Sequence, residues 1–185
     1  YNCRHFNTYV SANIELYTRQ FFYIRDAEDI SALNPQDFPV STHFLANSKF
    51  IANMVEQYLG IKPVVVYPLI NRERYFTKIE RKFVTFINPV SEKGFELACE
   101  IAKLCNEIPF QFIEGWPLGI QGFAKMKEEL LSFSNVRLMS AVQDIRIVYC
   151  ETGLLLVPSQ CKEGFGRVAI EAQISGIPVL ASDTG

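Results

Sequence analysis

Leu154-Leu155-Leu156-Val157-Pro158-Ser159-Gln160-Cys161-Lys162-Glu163-Gly164-Phe165-Gly166-Arg167-Val168-Ala169-Ile170-Glu171-Ala172 reads as a buried strand, a glycine-containing loop and a helix in succession. The apolar run ends at Pro158, and a helical pattern starts near Gly166. Glycines let the backbone approach a ligand closely, and a helix start offers unpaired N–H groups to an anion, so a phosphate fits this place. Two carboxylates, Glu163 in the loop and Glu171 in the second helical turn, stand eight residues apart around the turn. Each carboxylate oxygen accepts several hydrogen bonds, which suits a sugar diol with two adjacent donors. This is a chemistry of binding rather than of proton transfer.

Outward from that segment the same alternation continues. Short β-branched or aromatic runs at 21–24, 43–47, 64–67, 83–87, 110–114, 136–139, 154–157 and 178–181 predict strands. Between most of them lie helical patterns at 48–58, 94–105, 122–133, 141–150 and 166–175. The first helix opens on a capping Ser48 and stops at Gly60; the last stops at Gly176. Strand and helix alternating through short connections predict right-handed βαβ units, hence an α/β, Rossmann-like, doubly wound parallel sheet. Such sheets bind ligands beyond the carboxyl ends of their strands. His43 falls inside an apolar strand and is read as structural.

Pro68, Asn71, Arg72, Glu73 and Arg74, followed by the charged run 78–82, mark a boundary. Residues 1–70 are expected to form a partial first domain with two or three strands, 71–82 a linker, and 83–185 a nearly complete doubly wound domain cut short at its end.

Composition narrows the function. With 49% apolar residues among 185, the chain can bury the core of one full domain and part of another. A net charge of -2 with dispersed Lys and Arg gives no basic face for a nucleic acid. The apolar runs are far short of the roughly 20 residues that span a bilayer. No Met and no basic cluster before an apolar run stands at the start, so no secretory signal is read and the start is taken as a cut. The cysteines, Cys3, Cys99, Cys105, Cys150 and Cys161, are odd in number and lack a C-x-x-C pair. They are read as reduced thiols, which predicts a cytoplasmic location with peripheral membrane contact left open. No Asp-x-Asp loop or other metal-binding cluster is visible, so neither a metal nor a cofactor is expected.

Glu163-Gly164-Phe165-Gly166, the seven residues between the two Glu, and Ser175-Gly176-Ile177-Pro178-Val179-Leu180-Ala181-Ser182 in register resemble the donor site of family 4 retaining glycosyltransferases. That family has the GT-B fold of two Rossmann-like domains. The resemblance implies that Glu163 contacts the donor sugar and Glu171 the ribose, while Gly164, Phe165 and Gly166 present backbone N–H groups to sugar and diphosphate. Phe86-Ile87-Asn88-Pro89-Val90-Ser91-Glu92-Lys93-Gly94 resembles a second family segment, in which Lys93 would reach the diphosphate. The family carries a Gly-Arg pair where this chain has Ile87 and Asn88. Asn88 can hydrogen-bond a phosphate or sugar hydroxyl but supplies no charge. By the same resemblance Arg137 or its backbone neighbours would meet the nucleobase, and His5, in Arg4-His5-Phe6-Asn7, would face the donor. The implied catalytic set is Glu163, Lys93 and His5.

The expected function is therefore transfer of a sugar from a UDP- or GDP-linked donor to a hydroxyl of a sugar, lipid or other acceptor, with retention of configuration. Two readings stand beside it: a non-catalytic nucleotide-sugar binder, favoured by Asn88, and a nucleotide-sugar epimerase of the same architecture. The bland alternatives are that Glu163 caps a helix, Glu171 is a solvated helix residue and Lys93 is an ordinary exposed lysine at a helix start.

Overall fold

Runs of Phe, Val, Ile and Leu form parallel strands in two separate sheets. The computed structural model describes residues 19–28, 30–115 and 118–185. Within them the chain divides into two units: one runs to Leu69 and takes in Lys162–Gly166 and Gly185, and the other comprises Ile70–Cys161 and Arg167–Thr184.

In the first unit, β1 (Gln20–Ile24), β2 (Thr42–Ala46) and β3 (Val64–Val65) lie in the order β1-β2-β3, all parallel. Helix α1 (Lys49–Leu59) joins β2 to β3. It starts where Ser48 accepts a hydrogen bond from the Ile51 N–H (3.1 Å) and stops where Gly60 turns left-handed at φ 66°. Its apolar face, Ile51, Ala52, Met54 and Val55, packs on Phe22, Ile24 and Ile30. Each large side chain buried in this way contributes about 1.5–3 kcal/mol. β3 is shorter than the 64–67 pattern suggests. The Tyr23 hydroxyl donates to the Val66 carbonyl (2.6 Å), and Pro68 lacks the N–H a longer strand would need. His43 is exposed and stacks on Phe21, with ring centroids 5.3 Å apart.

The second unit runs β4 (Phe83–Ile87), α2 (Phe95–Leu104), β5 (Phe110–Ile113), α3 (Gly119–Glu129), β6 (Val136–Met139), α4 (Arg146–Glu151), β7 (Thr152–Val157), α5 (Arg167–Gln173) and β8 (Val179–Ala181). The sheet order is β6-β5-β4-β7-β8, every neighbour parallel. The chain winds outward from β4 through β5 to β6, returns to the far side of β4 as β7, and winds outward again. This is the doubly wound, Rossmann-like arrangement, with its switch point between β4 and β7. Alternating side chains fill two cores. Phe86, Phe112 and Leu156 pack with Phe95, Ala98, Ala102, Met126 and Leu130 from α2, α3 and the turn after it. Leu155 and Val157 pack with Tyr149, Ala172 and Ile177.

One buried layer across this sheet is polar. The Thr152 hydroxyl donates to the Val148 carbonyl (2.9 Å), so in the Thr85–Thr152 contact (2.7 Å) Thr85 is the donor. Gln111 donates to Thr85 Oγ1 (2.8 Å), and its own carbonyl accepts from Arg137 (2.6 Å). The second proton of the Gln111 amide faces the Val148 carbonyl (3.4 Å), so the layer's protons have partners, as burial demands.

Two helical patterns read from the sequence differ from the elements. The 141–150 pattern yields only Arg146–Glu151, because Ala141 N–H donates to the Glu114 carboxylate (3.2 Å) and Asp144 accepts from Arg146 N–H (3.0 Å), holding the first residues as loop. The 122–133 pattern is α3 from Gly119 followed by a 3-10 turn, Leu130–Ser132. The stretch 71–82, expected as a linker, lies along the second unit. Tyr75 and Ile79 pack on the core around Tyr149, Thr77 N–H donates to Ser175 Oγ (2.9 Å), and Glu80 N–H donates to the Cys150 carbonyl (2.6 Å).

Candidate active site

The topology brings the two motif loops together. They follow β4 and β7, the strands that flank the switch point. Gly94, buried and left-handed at φ 84°, sits so close to the Pro158 carbonyl that no Cβ would fit between them. The backbone secures the same contact, since Gln160 and Cys161 N–H both donate to the Glu92 carbonyl (3.0 and 3.1 Å). The Lys93 ammonium is thereby placed 3.6 Å from the Cys161 sulfur, at the carboxyl end of the sheet where such folds hold their ligands. The glycine after Lys93 is what lets the two loops close on each other.

Asn88 ends β4 with φ 60°, a left-handed conformation that Asn tolerates better than most residues. Its N–H donates to the Ile113 carbonyl (2.9 Å), and its side-chain carbonyl packs on Gly115, where a Cβ would collide with it. That carbonyl oxygen is buried with no hydrogen-bond partner. A buried acceptor in this condition is costly unless something donates to it.

Glu171 is 8% exposed, which removes the reading of a solvated helix residue. Its Oε1 accepts from Arg167 Nε (2.6 Å) and its Oε2 from the Tyr149 hydroxyl (3.2 Å). Arg167 in turn donates to the Tyr75 hydroxyl (2.8 Å). Burial, then the Glu171 charge, pushes the Tyr149 phenol well above its ordinary range, so it stays an O–H donor. The hydrogen bond to Glu171 raises the already high Arg167 value further.

Residues 162–166 belong to the first unit. Gly164 lies against the Arg25 carbonyl with no space for a Cβ, and its own carbonyl accepts from the Ser48 hydroxyl (2.5 Å). The Phe165 ring is 6.2 Å from that of Tyr67. The Glu163 backbone packs on Gly185, and Gly166 turns left-handed at φ 66°. His5 lies outside the described residues.

Arg137 stands apart from the β4 and β7 loops. It is on β6, where its guanidinium donates to Gln111 and Glu151 (2.6 Å each) and stacks over Phe83, 4.2 Å from the ring centroid. Three features escaped the sequence reading: the Tyr149 and Arg167 bonds to Glu171, and Glu114, whose carboxylate accepts from Leu118 N–H (2.8 Å) and Ala141 N–H, tying the loops after β5 and β6. The i,i+4 spacing of Arg167 and Glu171 was the one available signal. Among the described residues no helix is long and apolar enough to cross a membrane, and no three His, Cys, Asp or Glu side chains group to hold a metal ion. The four described cysteines are free thiols, and burial pushes Cys99 up to about 11.

Comparison with known proteins agrees with this architecture. Residues 81–185 match the family Glycosyl transferases group 1, and the chain belongs to that family. It is 25% identical over 154 residues to an uncharacterized glycosyltransferase of Methanocaldococcus jannaschii, covering 78% of this chain and 41% of that protein. The crystal structure of Anabaena HepE in complex with UDP-glucose superposes over 100% of this chain and 58% of its own, with TM-score 0.80 and 15% identity. Sucrose-phosphate synthase from Thermosynechococcus elongatus gives TM-score 0.72 at 13% identity, over 99% of this chain and 60% of its own. The fold is that of GT-B glycosyltransferases, and the chain spans little more than half the length of these structures.

Proposed function

We propose that this chain carries the donor site of a retaining glycosyltransferase that moves a sugar from a nucleoside diphosphate to an acceptor hydroxyl, without a cofactor. The observation that carries the reading is the buried, doubly held Glu171 beside a sheet whose switch-point loops place Lys93 and Pro158–Cys161 together. Glu171 takes the ribose diol, Lys93 the diphosphate, Glu163 the donor sugar, and the backbone of Gly164, Phe165 and Gly166 the sugar and diphosphate. The Asn88 carbonyl oxygen, lacking a donor, suits a sugar hydroxyl. In the reaction the bond from the anomeric carbon to the diphosphate breaks, a bond to the acceptor oxygen forms, and the acceptor's proton passes to the departing phosphate oxygen. Charge building on the leaving diphosphate is what Lys93 would neutralise. The Anabaena relative was crystallised with UDP-glucose, which favours a UDP-linked donor here.

The test is a thermal-shift titration with UDP, GDP, ADP and their sugar conjugates, with Glu171→Ala as control. Ligand at a hundred times its dissociation constant stabilises a fold by about 2.7 kcal/mol. A shift with one base that the variant loses is expected; no shift with any of them would overturn the reading. Asn88 favours a second reading, a non-catalytic binder, because a neutral amide cannot share the leaving charge. Hydrolysis of labelled donor by the full-length protein separates the two.

A further inference from the structure

Glu171 is held more elaborately than a helix residue requires. Arg167 occupies the first position of α5, where the helix dipole disfavours a cation, and it precedes its carboxylate partner, the weaker order for an i,i+4 pair. Neither choice helps the helix. The Arg167 side chain is half exposed while that of Glu171 is 10% exposed, so the guanidinium reaches inward to a nearly buried acceptor. It reaches outward as well, to Tyr75 from the stretch before β4, which Ser175 fastens by donating to the Tyr75 carbonyl (3.1 Å). From the opposite side comes Tyr149, fully buried on α4.

We infer that Tyr149 and Arg167 are positioning residues which aim the Glu171 carboxylate at the ribose of the bound nucleotide, an inference that rests on the function proposed above. The two residues grip the carboxylate from two elements, one bond to each oxygen, and so fix its plane. A carboxylate has about four lone-pair sites, and these bonds occupy two, leaving about two for an incoming diol. A nearly buried carboxylate without such partners would be costly to hold in its charged form in the folded protein. With them the cost is met in the folded protein before the ligand arrives, which is preorganisation. Tyr75 extends the arrangement by one step, since it orients the guanidinium that orients the carboxylate.

The experiment compares calorimetric affinities of the full chain for UDP, GDP and ADP with those for their 2′,3′-dideoxy counterparts, in the wild type, Tyr149→Phe and Arg167→Gln. The wild type is expected to prefer the ribose form of its base about tenfold or more. Both variants should bring that ratio towards one while binding the dideoxy form as the wild type does. A purely structural role would weaken both nucleotides alike and leave the ratio intact, and that outcome overturns the inference. A wild-type ratio of one overturns the ribose role of Glu171 itself, and with it the function proposed. Tyr149→Phe keeps the buried ring, and Arg167→Gln changes a half-exposed side chain. Should either variant fail to fold, the other decides, and Tyr75→Phe, which leaves both direct bonds in place, should lower the ratio less than Arg167→Gln.

Discussion

Gly94 and the Pro158 carbonyl meet without room for a single methyl group, and on that contact the loops after β4 and β7 close. Gly94→Ala must therefore carry two costs: roughly 1–2 kcal/mol for an alanine at a left-handed φ, and about 1–3 kcal/mol for pushing the Pro158 backbone aside. Gly176 provides the control, since its φ is 72° but nothing lies within 4 Å of where its methyl group would stand. Gly176→Ala should show the first cost alone. Denaturant unfolding of both variants, with nucleotide titration, checks this; equal losses would mean that the contact is incidental.

The buried Thr85, Gln111 and Thr152 layer is ordered by the Val148 carbonyl, which fixes the direction of each hydrogen bond. Gln111→Met keeps the volume but strands the Thr85 acceptor and one Arg137 donor. A loss of roughly 1–3 kcal/mol is expected. Thr85→Val in the same background should cost less than it does alone, because the residues share one network. Additive losses in a double-mutant cycle would contradict the assignment.

Arg137 holds the Glu151 carboxyl below the usual carboxylate range, chiefly through its hydrogen bond, and Lys82 adds to the effect. A depressed folded-state value stabilises the protein above the unfolded value and is lost as pH falls through the folded one. Glu151→Gln should thus be less stable than wild type by about 0.2–1 kcal/mol near neutrality, the range of solvent-screened pairs. The two unfolding curves should converge as the pH drops below the carboxylate range. A gap that is constant with pH would rule the ion pair out as its source.

Asn88 is the point where this chain departs from the Gly-Arg pair of the family segment it resembles. Asn88→Arg restores a cation at the end of β4 and should cost about 1 kcal/mol through the left-handed φ. If the proposed function holds, UDP should bind several-fold more tightly and donor turnover should rise. Unchanged affinity in a folded variant would show that the position does not face the diphosphate.

Much of the fold was legible because it is written locally. The strand at 83–87 matches β4 and that at 136–139 matches β6, and Ser48 and Gly60 bracket α1 as a cap and a stop should. The doubly wound parallel arrangement followed from alternation and handedness. What remained hidden depends on partners distant in sequence. The interior position of Glu171 depends on Tyr149, 22 residues earlier, and nothing in either segment alone announces the bond. Arg137 sat in a family-like segment, yet Gln111 and Glu151 take up its guanidinium from neighbouring elements. Likewise 71–82 has a linker's composition, but Tyr75 and Ile79, partly buried, pack on the second unit.

The switch point also has a consequence for how the protein comes to exist. Lys93 and Cys161 adjoin in space but are 68 residues apart in the chain, and everything from α2 to β7 lies in the loop they close. Closing a long loop carries an entropic cost that short-range contacts avoid. The aromatic core of β4, α2, β5 and α3 can therefore assemble from neighbouring segments, whereas the seat proposed for a diphosphate exists only once the chain has come back to lie beside β4. If the proposed function holds, pulse-labelled hydrogen exchange during refolding should find nucleotide-dependent protection in the last phase, so that a newly made chain becomes competent to hold a nucleotide only when its longest excursion is complete.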